Sequence, residues 1–347
     1  MNGALVRTPV AALRSFRSSQ TSSYIGLLII AIALAKTLFA VIHFPASYFF
    51  QILVIGIADG AIYALIALGY TMVYGIIELI NFAHGDVFTL GAFFSIWLMS
   101  FPIFGITEGQ GGCVFPLIIV ALLTMAFCGL VNVTIERVAY RPLRHAPRLA
   151  PLITAIGMSS VLEGAMYLWR GPFNLHYPNL LPSNVLVIGG VQIGYKDLIV
   201  LGLAVIFVLL LTIFINTSKL GKAMRATAQD RDAAQLMGIN INATIAATFF
   251  IGAVLAAAGG IIWGLYINNV DAFLGFETGL IAFTAAVFGG IGNIPGAALG
   301  GLLIGIIAAF NNAYFDSSWT EIIIFAILIA TLVFRPTGLL GMRVPEK

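Results

Sequence analysis

The chain has 347 residues, of which 60% are hydrophobic and only 9% charged, with 17 Lys+Arg against 14 Asp+Glu for a formal net charge of +3. A soluble domain has no interior large enough to hide that apolar share, so the composition excludes a globular soluble enzyme and points to a polytopic membrane protein. Cys113 and Cys128 lack metal-ligand spacing and no GxxxxGK[ST] run occurs, so no cofactor and no nucleotide loop of its own are expected, and no nucleic-acid partner.

Residues 1–23 carry Arg7, Arg14 and Arg17 without an acid and read as a cytoplasmic tail. An uncleaved first span follows at 24–42, with Lys36 near enough to one end to snorkel. A second span, about 47–74, contains Asp59 with Tyr63, Tyr70 and Tyr74 at helical spacings. The run GIIELINFAHGD then interrupts the apolar pattern with Glu78, Asn81, His84 and Asp86. One histidine without an i,i+4 partner is a poor metal set, and the run reads instead as a helix break. Spans at about 87–104, 115–133 and 149–169 come next; the second of these ends in ERVAYRPLRHAPR and the third contains Glu163. Within the Pro/Gly-rich loop that follows, VLVIGGVQIGY predicts a small hairpin around Gly189-Gly190.

A sixth span, about 197–215, delivers the chain into LGKAMRATAQDRDAAQLMGIN at 220–240, the longest stretch a bilayer would refuse. Asp230 as N-cap, an Ala-Ala-x-Leu-Met run and Gly238 as closing residue predict one short helix of about two turns over 231–237. Such a segment serves either as an ordinary basic loop or as a docking element, with Ala233 and Ala234 forming a flat face and Asp230, Arg231 and Asp232 its rim. After a seventh span at 241–267 the chain turns glycine-rich. Residues 279–288 are too short for a full span, so 279–310 reads either as two spans or as a broken or re-entrant pair with 299–310 as its second half; 319–334 closes the set.

Charge placement orients the whole. With the N-terminus inside, fourteen of the seventeen bases fall on the inner side, only Arg170 and Lys196 outside, and Lys36 within a span. Both termini and 220–240 are therefore expected in the cytoplasm. Asp59 and Glu163 lie at membrane depth, where an ionisable group either borders a solute path or bonds a neighbouring helix. Small residues recur four apart at Gly56 and Gly60, at Gly252, Ala256, Gly260 and Gly264, and at Gly292, Gly296 and Gly300, as close helix crossings require. Protease and hydrolase signatures such as HExxH and GxSxG are missing, so no enzyme is expected.

The runs GIADGAIYALIALGYTMVYGIIELINFAHGDVFTLGAF, ERVAYRPLR, 220–240 and FGGIGNIPGAALGG, taken in order over about 51–342, resemble the LivH-type permease of branched-chain amino acid ABC importers. The long N-terminal extension and the loop at 105–114 depart from that pattern. The resemblance implies a bacterial inner-membrane subunit paired with a LivM-type permease (or a second copy), two cytoplasmic ATPases and a periplasmic binding protein. It further implies an ATPase-coupling region comprising Ala223, Arg225, Asp230, Arg231, Ala233, Ala234, Leu236 and Gly238. Path candidates are Asp59, Tyr63, Asn81, His84 and Glu163.

The expected architecture is thus an all-α bundle of about eight to ten membrane segments with broken or re-entrant Gly-rich elements. It comprises a tail at 1–23, a permease domain at 24–334 with its coupling segment at 219–240, and a tail at 335–347. The expected function is import of branched-chain or other neutral amino acids, or of small polar solutes such as urea or amides. The rival is a self-sufficient secondary carrier or channel.

Overall fold

The computed structural model describes residues 45–77, 80–106, 114–144, 146–147 and 149–341. The expected N-terminal tail and first span, with Lys36, lie outside the described residues, as do Glu78, Arg148 and residues 342–347.

In chain order the elements are α1 (Ala46–Ile77), α2 (Ala83–Met99), α3 (Val114–Ile135), α4 (Leu149–Arg170), β1 (Leu175–His176), β2 (Val185–Ile188), β3 (Val191–Gly194) and α5 (Tyr195–Thr217). There follow α6 (Lys219–Gln229), α7 (Arg231–Leu236), α8 (Ile241–Ile267), β4 (Asn269–Val270), α9 (Leu274–Gly289), α10 (Ile294–Tyr314) and α11 (Thr320–Phe334). Helix α3 runs on through a wide π turn, Glu136–Tyr140, into a 3-10 turn, Arg141–Leu143. Among the described residues, seven helical stretches are long and apolar enough to cross a membrane, while α2 and α9 are shorter. The protein is a polytopic helical membrane bundle.

Its axis is formed by α1 and α8, whose most apolar windows are 72% buried, against 22% for α3, α4 and α5 on the periphery. Lipid tails are as apolar as leucine, so helices in a bilayer associate through close packing of small residues. That packing is explicit here. A Cβ added to Gly60 would sit 2.8 Å from the Leu302 Cα, and one added to Gly56 equally close to the Ile306 Cα. Gly301 abuts Ala64 in the same way, so α1 and α10 cross antiparallel along a seam of glycines. Gly91 meets Ala257 and Gly260 meets the Phe88 carbonyl, joining α2 to α8; Gly289 and Gly296 join α9 to α10.

Two expectations require correction. The Gly-rich region does break, at 290–293 between α9 and α10, but its second member is longer than the expected 299–310: α10 is a continuous helix of 21 residues, because Gly296, Gly300, Gly301 and Gly305 are its contact faces. The polar segment holds two helices instead of one. Ahead of α7 stands α6, an amphipathic helix of 11 residues that buries Gly221, Met224 and Thr227 at one spacing of three. The hairpin forms as read, with Ile188 paired to Val191 and both Gly189 and Gly190 at positive φ.

Candidate functional site

Helix α2 starts in the middle of the bundle. A Cβ on Gly69 of α1 would strike the His84 Nε2, and one on Gly252 would lie 3.6 Å from the His84 Cε1. Gly252 is the twelfth of 27 residues in α8. At the far end of α2, Ser95 Oγ lies 2.8 Å from the Tyr177 hydroxyl, whose ring packs on Gly264 near the end of α8. So α2 runs beside the second half of α8. Helix α9 does the converse. It starts with Gly275 against Gly85 and Thr89 and ends with Gly289 at the start of α10. Two short helices thus begin side by side in the interior and diverge to opposite ends, the arrangement of broken helices that irregular backbone at membrane depth permits only within protein.

Around this junction the polar side chains are enclosed. Asn81, His84, Asp86 and Thr89 are each 1% exposed or less. Tyr140, at the end of the π turn, donates to Asn81 Oδ1 at 2.7 Å, and Ser159 of α4 donates to Asp86 Oδ2 at 2.5 Å. His84 stacks edge-on against Tyr70, with ring centroids 4.7 Å apart. Asn81 and His84 are therefore packed into the junction and line no open surface. Glu163, one turn beyond Ser159 on α4, is half-buried and within electrostatic range of Asp86. The outer face of the same helix carries Gly157 and Ser160, and among the described residues nothing lies within 4 Å of a Cβ added to Gly157 or Gly164.

Asp59 and Tyr63 lie elsewhere, half-buried in α1. Asp59 is within electrostatic range of Asp197 and Tyr266, and Tyr266 donates to Asp197 Oδ1 at 2.9 Å. No contact joins this group to Glu163 among the described residues.

At the opposite end of α1 sits the polar segment. Ser218 caps α6 by accepting from the Gly221 N–H at 2.8 Å, and Arg225 donates back to the Ile215 carbonyl of α5. Ala223 is half-buried on this helix. Asp230 caps α7, its Oδ1 accepting from the Asp232 and Ala233 N–H groups at 2.9 and 3.0 Å. The helix closes with the Gly238 N–H on the Gln235 carbonyl and the Ile239 N–H on the Ala234 carbonyl, Gly238 taking φ +84°. That double bond pattern is a Schellman motif, which needs a left-handed residue at the position glycine occupies. Ala234 faces inward and is 4% exposed, whereas Leu236 and Met237 stand 88% and 83% exposed beside charged neighbours. The outward face therefore comprises Ala233, Leu236 and Met237 rather than the Ala233-Ala234 pair. Arg231 also points away from it, donating to the Ile76 and Ile77 carbonyls at the end of α1 at 3.2 and 2.7 Å. Beneath α7 lies a cavity of about 1180 Å³, bordered by Tyr74, Arg144, Arg231 and Asn240.

Sequence reasoning missed the Tyr140 and Ser159 partners and the outward aim of Met237. The ERVAYRPLR run was the available signal for the first, and Leu-Met closing a capped helix among charges for the last.

A polytopic bundle with paired broken helices and a capped polar helix at one end has the build of a membrane transport permease. Residues 52–332 match the family model described as the branched-chain amino acid transport system / permease component, and the chain belongs to that family. It is 44% identical over 313 residues to the high-affinity branched-chain amino acid transport permease BraD of Pseudomonas aeruginosa, covering 86% of this chain and 98% of that one. The corresponding LivH of Escherichia coli K12 is 41% identical over the same shares. A probable branched-chain amino acid permease LivM of Methanocaldococcus jannaschii is 28% identical over 163 residues, 43% of this chain.

Proposed function

We propose that this permease works as one membrane subunit of an ATP-driven importer of branched-chain or other neutral amino acids. A LivM-type permease or a second copy is its membrane partner, two cytoplasmic ATPases complete the assembly with one docking on the polar segment of this chain, and an external binding protein supplies the solute. The observation that carries this reading is α7. It is a capped helix tied to the bundle at both ends, and it presents Leu236 and Met237 outward from a charged surface. Exposed apolar anchors inside a polar rim are what a partner's groove takes up. The test is uptake into proteoliposomes. Uptake of L-leucine by the assembled complex with ATP inside supports the importer; uptake by this chain alone under an ion gradient would favour a secondary carrier.

The orientation proposed with it places both termini and α7 in the cytoplasm of a bacterial inner membrane, from the fourteen-to-two split of bases. A cysteine at Asn179 is expected to react with an impermeant external reagent and one at Gln229 to be protected. The reverse pattern would overturn the orientation.

For the path we assign the outer face of α4, with Ser160 and Glu163, as the surface shared with the partner permease. A carboxylate at that depth costs about 2.5–3.5 kcal/mol on insertion scales when it faces lipid, so protein or a wet route must cover it. Asp59 and Tyr63 remain path candidates as a separate group on α1, beside Asp197 and Tyr266. Asn81 and His84 act behind the α4 face, holding the junction. Glu163→Gln is expected to cut uptake several-fold while assembly, followed by co-purification of the partner permease, is unchanged. Full uptake by this variant would remove Glu163 from the route.

A further inference from the structure

We infer that Arg231 is a positioning residue which carries movement of the docking helix into the membrane, by gripping the end of α1 where the chain breaks towards α2. The inference rests on the importer reading above and adds the link that reading lacks. It stands on three sets of contacts.

The first is Arg231 itself. Its guanidinium bonds the Ile76 and Ile77 carbonyls, 155 and 154 residues earlier in the chain, on the side of α7 away from Leu236 and Met237. The last carbonyls of a helix have no partner within it, and a cation there also favours the negative end of its dipole. Arg231 thus caps α1 from another element, so α7 cannot shift without pulling on α1 or releasing it. A planar, five-donor guanidinium suits two adjacent carbonyls as an ammonium does not.

The second set secures the far side of the break. Asn81, just ahead of α2, is held by the Tyr140 hydroxyl at 2.7 Å, and Tyr140 is placed by the π turn that widens the end of α3. Insertions of this kind in an α-helix recur at functional positions. The third set ties that support to α8. Arg144 pairs with Glu136 of the π turn and donates to Asn242 Oδ1 in the first turn of α8 at 2.6 Å. Both sides of the break are therefore held by polar contacts to neighbouring elements, beside the cavity beneath α7. Each of the three sets is a direct contact between elements rather than mere proximity.

The test uses the complete complex in proteoliposomes with its binding protein and L-leucine as the probe. Arg231→Gln and Tyr140→Phe are each expected to keep the ATPases at the wild-type ratio on co-purification. Both should lower uptake at least tenfold and abolish stimulation of ATP hydrolysis by the loaded binding protein, with Arg231→Lys recovering part of the uptake. Uptake within twofold of wild type in both variants overturns the inference. So does loss of the ATPases from Arg231→Gln, which would make Arg231 a docking contact. If Arg231→Gln does not fold, Tyr140→Phe, which removes a single hydroxyl, decides by the same outcomes. A wild-type complex that retains no ATPase defeats the importer reading; a wild-type complex that couples, with variants that couple equally, defeats only this inference.

Discussion

Replacing Gly305 with leucine will leave little folded permease, and Gly60→Leu will behave alike, while Gly202→Leu on α5 will be recovered at close to wild-type yield. A Cβ on Gly305 falls 2.2 Å from the Gly60 Cα and N, and one on Gly60 falls 2.8 Å from the Leu302 Cα and O. All are backbone atoms in helices, which cannot rotate aside as a side chain can. Overpacking a core that can adjust costs about 1–3 kcal/mol. Here α1 and α10 must move apart along their whole seam, losing dispersion contacts at every level, so the cost lies at or above the top of that range. Among the described residues nothing lies within 4 Å of a Cβ added to Gly202, which serves as the control. Recovery after size-exclusion chromatography in detergent, with the unfolding midpoint, reads the difference. A Gly305→Leu protein with wild-type yield and midpoint would contradict the packing described.

How much of this the sequence disclosed follows from the range of the interactions involved. Membrane class, the Gly189-Gly190 hairpin, the Asp230 cap and the Gly238 closure rest on local chemistry and were readable. The length of α10 was misread because glycine is a poor helix former in water. Between helices in lipid, the same residue permits the closest approach and becomes a contact face. Helix α6 has no counterpart in the sequence reading, because its lysines and arginine hide a buried stripe of Gly221, Met224 and Thr227. Candidate site residues could be picked by type, but their roles depend on partners far away in the chain. Tyr140 lies 59 residues from Asn81, Ser159 lies 73 from Asp86, and Arg231 lies 154 from Ile77. No local pattern encodes such pairs. Arg231 accordingly reads as a rim contact in the sequence, whereas its guanidinium caps α1.

The docking role proposed for α7 makes a second large effect expected. Leu236→Glu and Met237→Glu each place a carboxylate where, on that proposal, an apolar anchor enters the ATPase's groove. Truncating a central anchor of an interface typically costs 2 kcal/mol or more, and about 1.4 kcal/mol is a tenfold loss of affinity. Burying an unpaired charge there adds to that cost. Because both side chains stand clear of the bundle, the variants are expected to insert, fold and keep their membrane partner. Capping by Asp230 and Gly238 is untouched, so α7 itself should persist. The measurement that bears most directly on coupling is the ATPase content of the complex purified through a tag on this chain. The account predicts wild-type content for the unaltered protein and at least a tenfold loss for Leu236→Glu and Met237→Glu, with leucine uptake falling in parallel. Full ATPase content and full uptake in both variants would contradict it.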